Sequence, residues 1–314
     1  MVICLLFYLA NSQCFSARLS VNDLNSIIND CFFDNIRSTA ENGGVVNNVV
    51  TDSTMRVSFC VFYRCSSAIR GGAVYFQGKD VEMLMICAFC CTITGPFGAS
   101  TPHAPFSYHI CTGKSFNMHI SVVKCSETVV ANSHHSTYIY GGTQTVQHFN
   151  STKNAIVYTS FIYCNNPTVT NISYTTVFDN RPSTAIIILI IDGPGTIASS
   201  NIKSCTSPNN GIFDCDRCQL LITDCVIVGN SNTLFYSRTS AGQMNVRYCY
   251  ISHSSTIKSG SVSIAYTFGL TNTYNIAHFS TAHCQAQNPL FIPTKTYMRL
   301  ASPQNFFIIL FISC

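Results

Sequence analysis

Tryptophan is absent from this chain of 314 residues, and only 10% of the residues are charged. An average soluble chain carries about 25%. Without an indole, a tryptophan-based sugar platform is excluded, although 15 tyrosines and 22 phenylalanines are present. Seventeen Lys and Arg against 13 Asp and Glu give a net charge of +4, with no run of cations anywhere. Nucleic-acid binding needs clustered cations, so that class is set aside. No stretch reaches the roughly 18 consecutive apolar residues of a membrane-spanning helix. The apolar run Ala185 to Ile191 is short enough to read as a buried strand. A sustained helical periodicity is also missing.

What the chain does have is cysteine, 18 in all, a high number for a large domain. Two readings stay open. Dense cysteine fits disulfides formed in an oxidising compartment, and it equally fits small, buried thiols packed inside a repetitive fold. The ends are apolar. Val2 to Ala10, followed by Asn11-Ser12-Gln13, reads as a short signal peptide over residues 1–12, with a first buried strand as the alternative. Residues 305–314 read either as an apolar cap or as a truncated membrane anchor, since ten helical residues span only about half of a hydrocarbon core. Residues 13–304 between them form the expected domain.

A short phrase recurs through that domain: small residue or Cys, any, apolar, any, any, Cys or Asn. It occurs as Cys60-Val61-Phe62-Tyr63-Arg64-Cys65 and as Ile120-Ser121-Val122-Val123-Lys124-Cys125. Looser copies end at Cys164, Cys205, Asn230 and Ser254, and a degenerate one runs from Cys31 to Ile36. Taking the last position as a corner, the expected corners are Ile36, Cys65, Cys91, Cys125, Cys164, Cys205, Asn230, Ser254 and Cys284, with Asn180 as a further candidate. Glycine or a new strand follows each at a near-constant offset, as in Gly71-Gly72-Ala73-Val74. A phrase repeated at this period means stacked rungs. Period-two alternation of Val, Ile, Thr, Phe and Tyr makes the rungs strands. Asn at a corner hydrogen-bonds to its equivalent one rung away, and Cys fills a narrow corner without an unpaired polar group. The expectation is an all-β, right-handed parallel β-helix of about ten rungs, each a corner with two strands.

Phe62-Tyr63-Arg64-Cys65 followed by Gly71-Gly72-Ala73-Val74 resembles the paired Phe-x-x-Asn and Gly-Gly-Ala-Ile/Leu/Val motifs of the polymorphic membrane protein family. Val177-Phe178-Asp179-Asn180 and Gly43-Gly44-Val45-Val46 are partial copies. The weak repeat extends from about Cys31 to Ile292, while close agreement is confined to residues 62–74. Cys replaces most of the motif Asn. The resemblance implies a secreted or membrane-attached surface β-helix, with adhesion as the usual proposed role; the partner is left open, a host-cell surface protein or glycan being the expectation.

Chemistry is sparse in the sequence. β-Helix polysaccharide lyases and hydrolases use clustered acids on one exposed face, and paired carboxylates carry glycoside hydrolysis. Asp214 and Asp216, with Asp224 close by, are the densest acids, so a carbohydrate-active enzyme is the alternative reading. Cys215-x-x-Cys218 with Cys225 lacks the second pair that a structural zinc site commonly has, and a local disulfide or packed thiols suits it better. The histidines His134-His135, His253, His278 and His283 assemble into no triad by spacing. No cofactor and no metal is expected. Asn150-Ser151-Thr152 and Asn171-Ile172-Ser173 are sequons for glycosylation, conditional on secretion. A third reading is a degenerate surface-family member without individual function.

Overall fold

The structure, a computed structural model, describes residues 13–15, 17–95, 104–126, 135–183, 186–208, 211–230, 233–252, 258–269, 298–301 and 306–309. Among them every element is a β-strand, and all strands up to Phe268–Gly269 pair in parallel. The chain is a parallel β-solenoid of about eight turns rather than ten. Its length is therefore roughly 40 Å at the inter-strand spacing.

Each turn contributes to three faces rather than two strands. The first face holds Asn25–Asn29, Thr54–Ser58, Val169–Ser173, Pro194–Ala198, Gln219–Thr223 and Gln243–Arg247. The second holds Cys31–Asp34, Val61–Tyr63, Thr176–Phe178, Asn201–Lys203 and Val226–Val228. In three middle turns one long strand, Asp80–Phe89, Lys114–Val123 or Thr143–Thr152, bends across both faces. A separate ten-stranded sheet makes the third face, from Leu19–Val21 through Val74–Gly78 and Ile186–Ile191 to Lys258–Ser259.

The bend between the first two faces is made each time by a single left-handed residue, at Asp30, Phe59, Met85, His119, His148, Tyr174, Ser199, Asp224, Tyr248 and Tyr266, with φ between 46° and 56°. Five residues later a second left-handed series closes the second face, at Asn35, Arg64, Cys90, Lys124, Lys153, Asp179, Ser204 and Gly229. A single αL residue turns the strand sharply, yet its N–H stays in the ladder. Thus Phe59 N donates to Leu84 O at 3.0 Å and Arg64 N to Phe89 O at 2.9 Å. Each non-glycine residue in that region carries a cost of order 1 kcal/mol, which the stacking of neighbouring turns must offset.

The recurrent phrase is the second-face strand with its two corners. Its first position follows the first bend (Cys31, Cys60, Thr175, Ser200, Cys225, Cys249). Its third is the inward residue, as in Phe33 and Phe62, whose rings stack at 5.1 Å. Its last follows the second bend, giving the column Ile36, Cys65, Cys91, Cys125, Asn154, Asn180, Cys205 and Asn230. All of these are buried except Asn230, which is half-buried. One expected corner is corrected. Cys164 lies inside Thr159–Asn165 on the third face, paired with Ile139 and Ile190. The corner of its turn is Asn154. The corners expected at Ser254 and Cys284 lie outside the described residues, as do residues 1–12. Within the C-terminal segment, Phe306–Ile309 pairs antiparallel with Met298–Ala301. No helix among the described residues is long and apolar enough to cross a membrane.

Gly71 and Gly72 sit where the chain enters the third face. A Cβ on Gly72 would lie 2.0 Å from Pro105 O, and one on Gly44, a turn earlier, 2.0 Å from Gly72 O. Consecutive turns touch backbone to backbone here, so only glycine fits.

Candidate functional site

The corner column is a hydrogen-bonded and thiol-lined spine. Asn154 Oδ1 accepts from Cys125 N at 2.8 Å, and Asn180 Oδ1 accepts from Asn154 N at 2.9 Å. Both amide Nδ2 groups donate to Ser151 Oγ, at 2.9 and 2.7 Å. Asn230 Oδ1 repeats the pattern with Cys205 N at 2.9 Å. Between Cys65, Cys91 and Cys125 the side chains are stacked thiols. The hydrogen bond to Cys91 and burial hold the Cys65 thiol far above its ordinary range. Burial pushes Cys205 up to about 12. Such thiols stay protonated and are poor nucleophiles or metal ligands. Cys215 and Cys218 are joined in a disulfide. No group of three or more His, Cys, Asp or Glu side chains is placed to hold a metal among the described residues.

The three acids singled out by spacing do not converge. Asp214 and Asp216 share the outer side of one third-face strand, whereas Asp224 stands at the bend between the first and second faces. Asp214 is fully buried and bound by Arg238 Nε at 2.7 Å, and Arg238 also donates to Tyr158 OH at 3.1 Å. Burial raises the Asp214 carboxyl to about 7 despite Arg238. Its Oδ1 has no hydrogen-bond partner among the described residues. Asp216 lies against Arg217, which in turn grips Asp192 of the preceding turn. Of the histidines named from spacing, His135 is buried on the third face, and the other four lie outside the described residues. The two sequons differ in access. Asn171 is exposed on the first face, whereas Asn150 is 5% exposed in the second.

Two features carried no signal in the repeat. One is a polar interior. His109 is fully buried, its Nδ1 is 3.2 Å from Ser115 Oγ, and burial lowers its pKa to about 3, so it is neutral. Asn117, Gln144 and Thr170 continue this polar strip inside the solenoid. A His-x-x-x-x-x-Ser spacing says nothing about which side of a strand is inward.

The other is an open groove of about 610 Å³ on the first face. Gln219, Leu221, Gln243, Asn245, Arg247 and Ser263 line it from three consecutive turns. Gln219 stands beside Gln243, and Leu221 beside Asn245 beside Ser263. All six are exposed or half-exposed. The bend next to the groove carries Tyr248 and Tyr266, whose rings stack at 5.4 Å and are 45% and 71% exposed. Farther along the same bend His119, His148 and Tyr174 stack at 4.7 and 5.2 Å. The period-two alternation marks these side chains as outward-facing. It cannot show that amides, a guanidinium and two tyrosines from different turns come together. No family model matches the chain, and no curated protein or solved structure matches it.

Proposed function

We propose that this protein is a non-catalytic, secreted or cell-surface solenoid whose first face is a display surface for adhesion. The observation that carries the reading is the groove on that face. It offers hydrogen-bonding side chains that no other described residue engages, on a scaffold whose every turn is braced by its neighbours. Placement outside the cell is supported by the apolar segment Val2 to Ala10, the two sequons, the 18 cysteines and the low charge. The resemblance to polymorphic membrane proteins points the same way. The purified protein is expected to bind cultured epithelial cells saturably, with competition by unlabelled protein, and to release no reducing ends from polysaccharides. Well-folded protein that binds no cells, or that cleaves a polysaccharide, would reject the reading.

A further inference from the structure

We infer that the first-face groove binds a carboxylate-bearing glycan, a sugar chain carrying uronate or sialate groups. This rests on the reading of the first face as the display surface, and it names the ligand class for that surface.

Charge complementarity comes first. Among the described residues, Arg247 is the one charged side chain in the groove lining, and no carboxylate lines it. Most other arginines are engaged. Arg18, Arg56, Arg181, Arg217 and Arg238 form ion pairs. Arg64 and Arg70 lie over tyrosine rings, and Arg37 donates to Asn35. Arg247 has no ion pair, ring contact or side-chain hydrogen bond among the described residues, and it is exposed. A free guanidinium fork matches a carboxylate in a bidentate way.

Hydrogen-bond complementarity comes second. The side-chain amides of Gln219, Gln243 and Asn245 have no protein partner among the described residues. Each presents a donor pair and an acceptor, which suits vicinal hydroxyls that both give and take hydrogen bonds. The parallel register sets Gln219 and Gln243 about 4.8 Å apart, so successive turns offer the same groups repeatedly to a repeating chain. Tyr248 and Tyr266 add exposed ring faces with polar tips, which pack against the C–H face of a sugar.

An acidic peptide fits less well. The first-face strands Gln219–Thr223 and Gln243–Arg247, which carry Arg247 and the three amides, are paired on both sides, so no sheet edge is open beneath those groups for an added strand. Among the described residues, Leu221 and Pro194 are the only accessible apolar side chains in the lining to hold a peptide anchor.

The test uses the full chain with polygalacturonate and polysialic acid as probes, neutral dextran as the uncharged control, and dextran sulfate as the control for charge alone. Binding to at least one carboxylate polymer is expected, with none to dextran and weaker binding to dextran sulfate. Arg247→Gln should weaken the binding about tenfold, the worth of one charge-assisted contact. Arg247→Lys should restore part of it, and Asn245→Ala and Tyr248→Ala should each weaken it. These sites are exposed, and an unchanged circular dichroism melt verifies folding. Three results would overturn the assignment: failure of both carboxylate polymers, equal binding to dextran sulfate, or Arg247→Gln binding like the unaltered protein. Cell binding measured in parallel separates the two proposals. Cell binding that survives Arg247→Gln leaves the display reading standing and removes the glycan, whereas no cell binding at all removes the display reading itself.

Discussion

Each turn of the solenoid is decided by a few residues at its bends. Asn154 illustrates the energetics. Fully buried, it takes the Cys125 N–H and donates to Val122 O at 3.2 Å and to Ser151 Oγ at 2.9 Å. Asn154→Ala leaves the buried Cys125 N–H without its acceptor and removes two further buried hydrogen bonds, although Ser151 Oγ keeps the one from Asn180, so a loss of about 2–4 kcal/mol is expected in urea unfolding. Asn230→Ala, at a half-buried position that water reaches, should cost only about 1 kcal/mol. Equal losses at the two sites would contradict the buried ladder. The buried ionisable groups make a second residue-scale prediction. Asp214 titrates at about 7 in the fold and near 3.8 unfolded, so the folded state holds the extra proton between those values. Its contribution to stability is complete below about pH 4 and is lost as pH rises to about 7. His109 titrates at about 3 folded and near 6.5 unfolded, so it destabilises as pH falls through that window. The two trends oppose each other. Relative to the unaltered protein, Asp214→Asn should gain stability as pH rises from about 4 to 7, and His109→Gln should gain as pH falls from about 6.5 to 3. Each slope is at most about 1.4 kcal/mol per pH unit. Flat differences in chemical denaturation across that range would show that neither group titrates as described.

At the scale of elements, the second-face strand and its corners were readable because they impose residue type at three positions in six. The strand expected after each glycine is the third face, as at Val74–Gly78 and Phe213–Asp216, and it was the first face that the reading did not separate; the third face's inward column mixes Val74, Ser107, Thr137, Ile162 and Phe213 and so shows no fixed residue type. The same ambiguity produced the misplaced corner. Thr159, Phe161 and Cys164 match the phrase but lie on the third face, whereas the true second-face copy, Phe149 to Asn154, hides behind an inward Ser151 that serves the two ladder asparagines. The acids misled for a related reason. Spacing put Asp214 and Asp216 on one strand side correctly, but burial and Arg238 depend on a neighbouring turn. The glycines before the third face are where local sequence and packing agree best. Gly72→Ala drives a Cβ into the Pro105 carbonyl. It should cost about 3 kcal/mol or more, as severe backbone clashes do, or prevent folding. Gly229 is left-handed but open: a Cβ there would meet nothing closer than Ser204 Oγ, at 3.6 Å. Gly229→Asn should therefore change stability by less than about 1 kcal/mol, since Asn tolerates that region. Thermal melts of the two variants that are alike would contradict the close approach of the turns.

For the whole molecule, composition and periodicity pointed to a repetitive β-rod with a surface role, and the parallel architecture follows from stacking one bend on another. The groove, by contrast, exists only once three turns are stacked, which is why its side chains were invisible as a motif. Faces, spine and groove all depend on that stacking register. It places Cys65 beside Cys91, Cys91 beside Cys125, and Cys225 beside Cys249, each pair one turn apart. A separation of about 4.8 Å between turns lies within the Cα range that a disulfide bridges. Those thiols are buried and unreactive, so the decisive measurement introduces accessible ones: Gln219→Cys with Gln243→Cys, and separately Asn171→Cys with Gln243→Cys, each oxidised with diamide and mapped by mass spectrometry. All three positions are exposed on the first face, and Gln219 stands beside Gln243 one turn away. The register predicts a bond between positions 219 and 243 and none between positions 171 and 243; a bond between 171 and 243 without one between 219 and 243 would contradict the solenoid and everything built on it.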